Sequence, residues 1–189
     1  MVASPRAQEL VSLGGWSEVS LQDLVLKELQ PYVEGTDRLT VNGPPIRLRP
    51  KAALALGMVL HELSTNAAKH GALSAERGRV AVAWSAESGD TAAHLVLRWT
   101  EEGGSPVRAP NGRTGFGSKL IEQQLRHDLG GAIKVDYSEV GFNATLTLPF
   151  DVVVPGSING AFGDAPAKQP WPSDERAMPS GGIPTSDRK

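Results

Sequence analysis

The sequence predicts an α/β fold in which a mixed, mainly antiparallel sheet is covered by helices on one face. Three observations lead there. Residues 50–74, PKAALALGMVLHELSTNAAKHGALS, repeat apolar side chains near the helical period. Residues 78–85 and 93–99 alternate apolar and polar side chains with period two, as strands buried on one side do. Helical and extended segments interleave from residue 19 to residue 150 of a chain of 189, long enough for one domain with a real core but short for two.

Taken in order, residues 1–18 carry a short apolar pattern that stops at Gly14-Gly15 and are expected to be a lead-in or remnant. Ser20 is placed to cap a helix from Leu21 to about Tyr32, with Asp23 as the acidic residue at its third position. Leu21, Leu24, Val25, Leu29 and Tyr32 form its apolar stripe. Residues 39–41 and 46–48 read as short strands joined across Asn42-Gly43, although the two prolines that follow argue against a simple two-residue hairpin.

The long helix opens at Pro50, a residue favoured at the first helical position, and Gly71 is expected as its C-cap. Leu54, Met58, His61 and Thr65 are expected to pack on the sheet, while Glu62, Asn66, Lys69 and His70 share a second, polar line. Val80, Val82 and Trp84 face one side of the next strand; Ala93, Leu95, Leu97 and Trp99 do so on its partner, after a turn at Ser88-Gly89-Asp90. Residues 101–118 read as a long loop rich in Gly, Pro, Asn and Arg, uncommon in a compact domain unless it has a task. A helix follows from about Gly117 to Leu129, with Leu120, Ile121, Leu125 and Leu129 buried, and residues 132–138 and 143–149 form a last strand pair. Residues 151–189 lose periodicity, become Pro/Gly-rich and are expected to form a disordered tail containing a lone Trp171.

A formal charge of -2 supplies no broad basic field, so bulk electrostatics imply no nucleic acid. The absence of cysteine removes disulfides, thiolate nucleophiles and cysteine–metal sites and fits a reducing compartment. No apolar run approaches a membrane span and no signal-peptide pattern opens the chain, so no membrane contact is expected and the default location is the cytoplasm.

Two constellations carry chemistry. On the long helix, the Asn66 amide oxygen suits Mg2+, a cation that prefers oxygen donors, keeps several waters and shares its shell with phosphates. Glu62, one turn earlier, can orient or accept a proton; Lys69 and His70 can meet phosphate. The same stripe also reads as a solvated polar face. The second constellation is Gly103-Gly104, Gly112 and Gly115-Phe116-Gly117, leading into Ser118 and Lys119 at a helix start, where backbone amides and the Arg113, Ser118 and Lys119 donors can receive an anion. A flexible loop with a glycine-assisted helix start is the plain alternative. Glu101 ends the strand before this loop and can accept from an exocyclic amine, or be an ordinary surface acid beside Glu102. A phosphate-binding GxxxxGK[ST] loop, a second histidine at zinc-helix spacing and a GxSxG elbow are all missing.

The segment HELSTNAAKHGALS resembles the N box of the HWE histidine kinases, whose ATP-binding domain has the Bergerat (GHKL ATPase) fold, a two-layer alpha/beta sandwich. His61 and Trp99-Thr100-Glu101 match the residues that give that branch its name, TEEGGSPVRAPNGRTGFGSKLIEQQL looks like the rest of its signature, and GFNATLTLP its closing strand. The resemblance covers about residues 19–150 and implies a catalytic ATP-binding domain that takes the γ-phosphoryl of Mg-ATP to a histidine. By position it implies Asn66 as Mg2+ ligand, Glu62 as the acid that helps activate the phosphoacceptor, and Lys69 and His70 on the phosphate side. Glu101 then stands where related ATPases read the adenine amine, with Gly103 next in that motif. Gly115 and Gly117 fall in a lid over the phosphates, ahead of Ser118 and Lys119, and Thr145 matches a late strand position near the adenine pocket.

Family members carry the phosphorylated histidine on a helical hairpin upstream of the ATP domain, and no histidine precedes His61 here. His61 belongs to the N box, and neither His94 nor His127 has the expected context. The acceptor is therefore expected outside this sequence, with residues 1–18 the end of a missing hairpin. Partners would be that phosphoacceptor hairpin and a downstream response regulator; the full-length family is often a homodimer through the hairpin, and its loss would allow a monomer. The competing readings are a catalytically silent, nucleotide-gated binding module and an anti-sigma-type serine kinase, against which the Trp99/Glu101 signature speaks.

Overall fold

The computed structural model describes residues 18–33, 37–89, 92–104, 116–138 and 141–156. The expected lead-in, tail and most of the 101–118 loop lie outside them. Strand β1 (Val19–Ser20) runs into helix α1 (Leu21–Leu29), where Ser20 accepts from the Asp23 amide at 3.3 Å and so satisfies one of the unpaired donors of the first turn. Pro31 lies in the single 3-10 turn that ends this helix at Tyr32. Strands β2 (Leu39–Asn42) and β3 (Arg47–Leu48) precede helix α2 (Pro50–Lys69). Strands β4 (Arg79–Ser88) and β5 (Ala93–Glu102), helix α3 (Phe116–Leu129), strands β6 (Ala132–Ser138) and β7 (Gly141–Pro149) and a short helix α4 (Phe150–Val153) complete the order.

The main sheet has the order β2-β4-β5-β7-β6, antiparallel throughout except for the parallel β2–β4 edge. Register fixes its two faces. Val82, Trp99 and Ala144 lie opposite one another, as do Trp84, Leu97 and Leu146, and all are buried in one core with the apolar residues of α1, α2 and α3. The alternate positions, among them Ser85, Arg98, Thr145 and Thr147, carry the other face, where Arg98 pairs with Glu87 at 2.7 Å. This is the expected two-layer arrangement.

Three expectations need correcting. Strands β2 and β3 do not form a hairpin: β2 joins the main sheet beside β4, and β3 pairs with β1 in a separate two-stranded sheet. Trp84 enforces the separation, because its Nε1 donates to the Pro44 carbonyl at 2.8 Å and its indole fills the space a side chain at Gly43 would need. On α2 the packed face is not the Leu54–Met58–His61–Thr65 line, whose members are only half-buried. It is rotated to Leu56, Val59, Leu60, Leu63 and Ala67, because α2 is packed against both α1 and α3 and buries the wider arc. At the far end, Val153 is fully buried and its carbonyl accepts from the Arg49 amide at 2.8 Å, so packing runs past the expected boundary at Asp151.

Candidate functional site

Helix α2 finishes where β5 finishes, and that junction is the site. The Asn66 carbonyl accepts from both His70 and Gly71, at 2.9 and 3.0 Å, and the chain then makes one 3-10 turn at Ala72–Ser74. Gly71 is not the expected left-handed cap: its φ is -104°. Glycine is required there for room, since a side chain would run into the Glu101 carboxylate and the Ala67 backbone. Gly104 presses against Ala72 in the same way, and Gly103 makes the turn between with a φ of 70°, a conformation that favours glycine. The Gly103-Gly104 pair thus seats the end of β5 on the turn after α2.

Glu101 is the centre of this junction. It is only 3% exposed, on the core face of β5 two residues after Trp99. One oxygen accepts from Trp99 Nε1 at 3.0 Å and the other from the Ala72 amide at 2.8 Å. Burial pushes its carboxyl above the ordinary value, against the downward pull of the Ala72 and Trp99 donors. Each oxygen keeps a further lone pair, so the group can still accept a donor from a ligand.

The polar line on α2 runs away from this acid along the exposed edge of the helix, with Glu62 half-buried and Asn66, Lys69 and His70 exposed. Their side chains make no hydrogen bond among the described residues. Thr65 does not extend the line, because its hydroxyl donates back to the Glu62 carbonyl at 3.0 Å. The arrangement is an acid in a dry corner, a glycine turn beside it and a strip of uncommitted polar groups leading outward.

No protein-family model matches the sequence. Among curated proteins, blue-light-activated histidine kinase 1 of Erythrobacter litoralis is 41% identical over 134 residues, which are 69% of this chain and 36% of that protein. The blue-light-activated histidine kinase of Rhizobium johnstonii is 31% identical over 147 residues, 78% of this chain and 41% of that protein. The chain is homologous to the ATP-binding catalytic domain of the HWE-type histidine kinases. It spans well under half the length of these relatives. The fold agrees. The histidine kinase domain of the Erythrobacter litoralis EL346 blue-light-activated kinase superposes with a TM-score of 0.55 at 18% identity, covering 76% of this chain and 69% of that one. The catalytic domain of the histidine kinase ThkA does so with 0.51 at 16%, covering 70% and 95%.

Within this kinase domain the three signature residues are spatially divided. Trp99 and Glu101 touch each other, whereas His61, in the second half of α2, meets Glu28 of α1 through its Nδ1 at 3.1 Å. Glu28 is fully buried, so the pair ties α1 to α2. Nothing in that contact asks His61 to be phosphorylated.

Of the residues expected at the site, the fold brings together Glu101, Gly103 and the α2 end that carries Glu62, Asn66, Lys69 and His70. Gly117, Ser118 and Lys119 fall in the first turn of α3, the helix packed against α2. Gly115 lies outside the described residues. Thr145 is not brought in: it pairs with Arg98 and Lys134 on the outer face, while its neighbours Ala144 and Leu146 point to the core. The period of two places it across the sheet from Glu101.

Sequence reasoning missed Ala72, Glu28 and Arg38. Glu28 had a signal, since it follows Leu21, Leu24 and Val25 at helical spacing and so falls on their apolar stripe. The Ala72 amide and the Arg38 guanidinium, which bonds the carbonyls of Leu73, Ala75 and Gly78, carried none, because both act through backbone groups.

The donor set suits magnesium. Among the described residues no three His, Asp or Glu side chains gather as a metal cage. A lone exposed amide oxygen at Asn66 fits a cation that takes one or two protein oxygens and completes its shell from water and phosphate.

Proposed function

We propose that this domain binds Mg-ATP between the end of α2 and the start of α3, and transfers the γ-phosphoryl to a histidine on another polypeptide segment. The observation that carries the reading is the convergence of a buried, pre-oriented Glu101 with the glycine turn and the Asn66-bearing end of α2. Glu101 accepts the exocyclic amine of adenine, and the Gly103-Gly104 backbone lets the base approach where side chains would block it. Asn66 holds the magnesium ion, which when bound neutralises phosphate charge. Lys69 and His70 contact the phosphates from the exposed helix edge, and the first turn of α3 offers unpaired amides at Gly117 and Ser118, just ahead of Lys119. Glu62, four residues before Asn66 on the same edge, orients the incoming histidine. Catalysis in such a site is positioning and charge stabilisation, with no covalent step on the protein itself.

In this reading the phosphoacceptor is a helical hairpin segment and the next recipient a response regulator; the homology to histidine kinases supports it. The same reading locates the domain in the cytoplasm, where ATP is supplied, and cell fractionation tests it. Incubation of the chain with γ-labelled ATP, Mg2+ and a phosphoacceptor hairpin from a related kinase is expected to label the hairpin. ATP binding without any transfer to that hairpin or to a second one would overturn the phosphotransfer reading and leave a nucleotide-gated binding module.

A further inference from the structure

Arg38 stands at the head of β2, and its carbonyl accepts from the Val80 amide at 3.0 Å, which fixes its backbone to the start of β4. From there the half-buried guanidinium reaches the segment between α2 and β4. Its Nε donates to the Gly78 carbonyl at 2.9 Å, and one Nη donates to Ala75 at 2.6 Å and Leu73 at 3.2 Å. Among the described residues it makes no ion pair. Among the described residues the guanidinium's hydrogen bonds all go to backbone oxygens. The segment it grips is the one that presents the Ala72 amide to Glu101.

The linkage between the two is short and stiff. Leu73 follows Ala72 inside the same 3-10 turn, which the Ser74 amide and hydroxyl close on the Gly71 carbonyl at 3.1 and 2.7 Å. Gly78 folds back so closely on the Ala72 carbonyl that no side chain fits there. A force on the carbonyls of Leu73, Ala75 and Gly78 is therefore a force on the Ala72 amide.

We infer that Arg38 is a positioning residue for base recognition: it holds the Gly71–Gly78 turn so that the Ala72 amide fixes Glu101 in the orientation that accepts the adenine amine. The inference rests on the reading of Glu101 as the adenine acceptor. Without the guanidinium, three carbonyls turn to water, the turn loosens, and Glu101 keeps only the Trp99 donor. Arg38 touches neither base nor phosphate; it acts through main chain.

The test compares calorimetric binding of ATP and of inosine triphosphate, which carries a carbonyl in place of the amine, to wild type, Arg38→Met, Arg38→Lys and Glu101→Ala. Wild type is expected to prefer ATP by about tenfold or more, the worth of one charge-assisted hydrogen bond. Glu101→Ala and Arg38→Met are expected to bring that preference to within about twofold, and Arg38→Lys to restore part of it. The double variant should discriminate no worse than Glu101→Ala alone. If Arg38→Met lowers thermal stability but keeps the wild-type preference, Arg38 only supports the fold and the inference falls. If Glu101→Ala keeps the preference, the adenine reading itself falls, a result independent of Arg38. Should Arg38→Met not fold, Arg38→Lys decides: a reduced preference, with faster exchange of the Ala72 amide than of the α1 amides, supports the role, and an unchanged preference overturns it.

Discussion

The two ends of the proposed nucleotide site, base and phosphate, are made differently. At the base end, Glu101 is almost wholly buried and engaged at both oxygens, and a side chain at Gly71 would run into its carboxylate. At the phosphate end, Asn66, Lys69 and His70 stand exposed on the helix edge with no partner among the described residues. The base end is part of the fold and holds its shape without ligand. The exposed edge of α2 costs the fold little, and in the proposed site it would gain its order from metal and phosphates. Changes at the first should therefore appear in stability and binding together, and changes at the second in binding and transfer alone.

The largest effect should come from the phosphate end. Asn66→Ala is expected to weaken Mg-ATP binding by about a hundredfold or more, beyond the tenfold to hundredfold typical of outer-shell residues, with an unchanged thermal midpoint. Titrations with and without Mg2+ check it; a Mg2+ dependence that survives the alanine removes Asn66 as the ligand. Next, Trp99→Phe removes one donor from a buried carboxylate and should cost roughly 1–3 kcal/mol in denaturant unfolding, with weaker ATP binding in parallel. A loss of stability that spared ATP affinity would separate fold from base recognition at the base end.

The pH response should distinguish the ends more gently. The Glu101 carboxyl is held above its ordinary value by burial, so the unfolded chain loses this proton first. Between the unfolded and folded values the native state binds more protons, and the contribution of Glu101 to stability falls as pH rises. Relative to Glu101→Gln, wild type should lose stability with increasing pH above about 4.5, measured by denaturant unfolding. Over the same window its preference for ATP over inosine triphosphate should grow, because the ionised group is the better acceptor. The smallest effect on nucleotide binding is expected from His61→Gln, which disturbs the contact with Glu28 and should cost about 1–2 kcal/mol of stability while leaving ATP affinity within about twofold.

How much of this was legible in the sequence follows the same division. The strands and the two long helices were readable because burial on one face imposes a period. The stripe from Glu62 to His70 was readable because residues three and four apart share a helix edge. What stayed hidden depends on partners far apart in sequence. Glycine at 71 resembled a helix cap, yet it is needed because the Glu101 side chain arrives from the far strand. The segments at 39–41 and 46–48 read as strands joined across Asn42-Gly43, with only the two prolines against a simple hairpin, and the Trp84 contact with Pro44 belongs to their separation into two sheets. Thr145 was carried over by motif position, and the strand pairing puts it on the outer face.

The parallel pairing of β2 with β4 has a consequence for how the domain responds to its ligand. Parallel neighbours cannot be joined by a tight turn, so the chain leaves the sheet after Asn42 and returns at Arg79, using α2 as the crossover. The helix that presents Asn66 is thus also the strap that closes the edge of the sheet. Its apolar face is part of the single core over the sheet, so opening at the site is expected to be coupled to unfolding of the domain. Nucleotide bound at one end of α2 should therefore slow exchange of the β2 and β4 amides at the sheet edge, and raise the melting temperature of the whole domain by mass action.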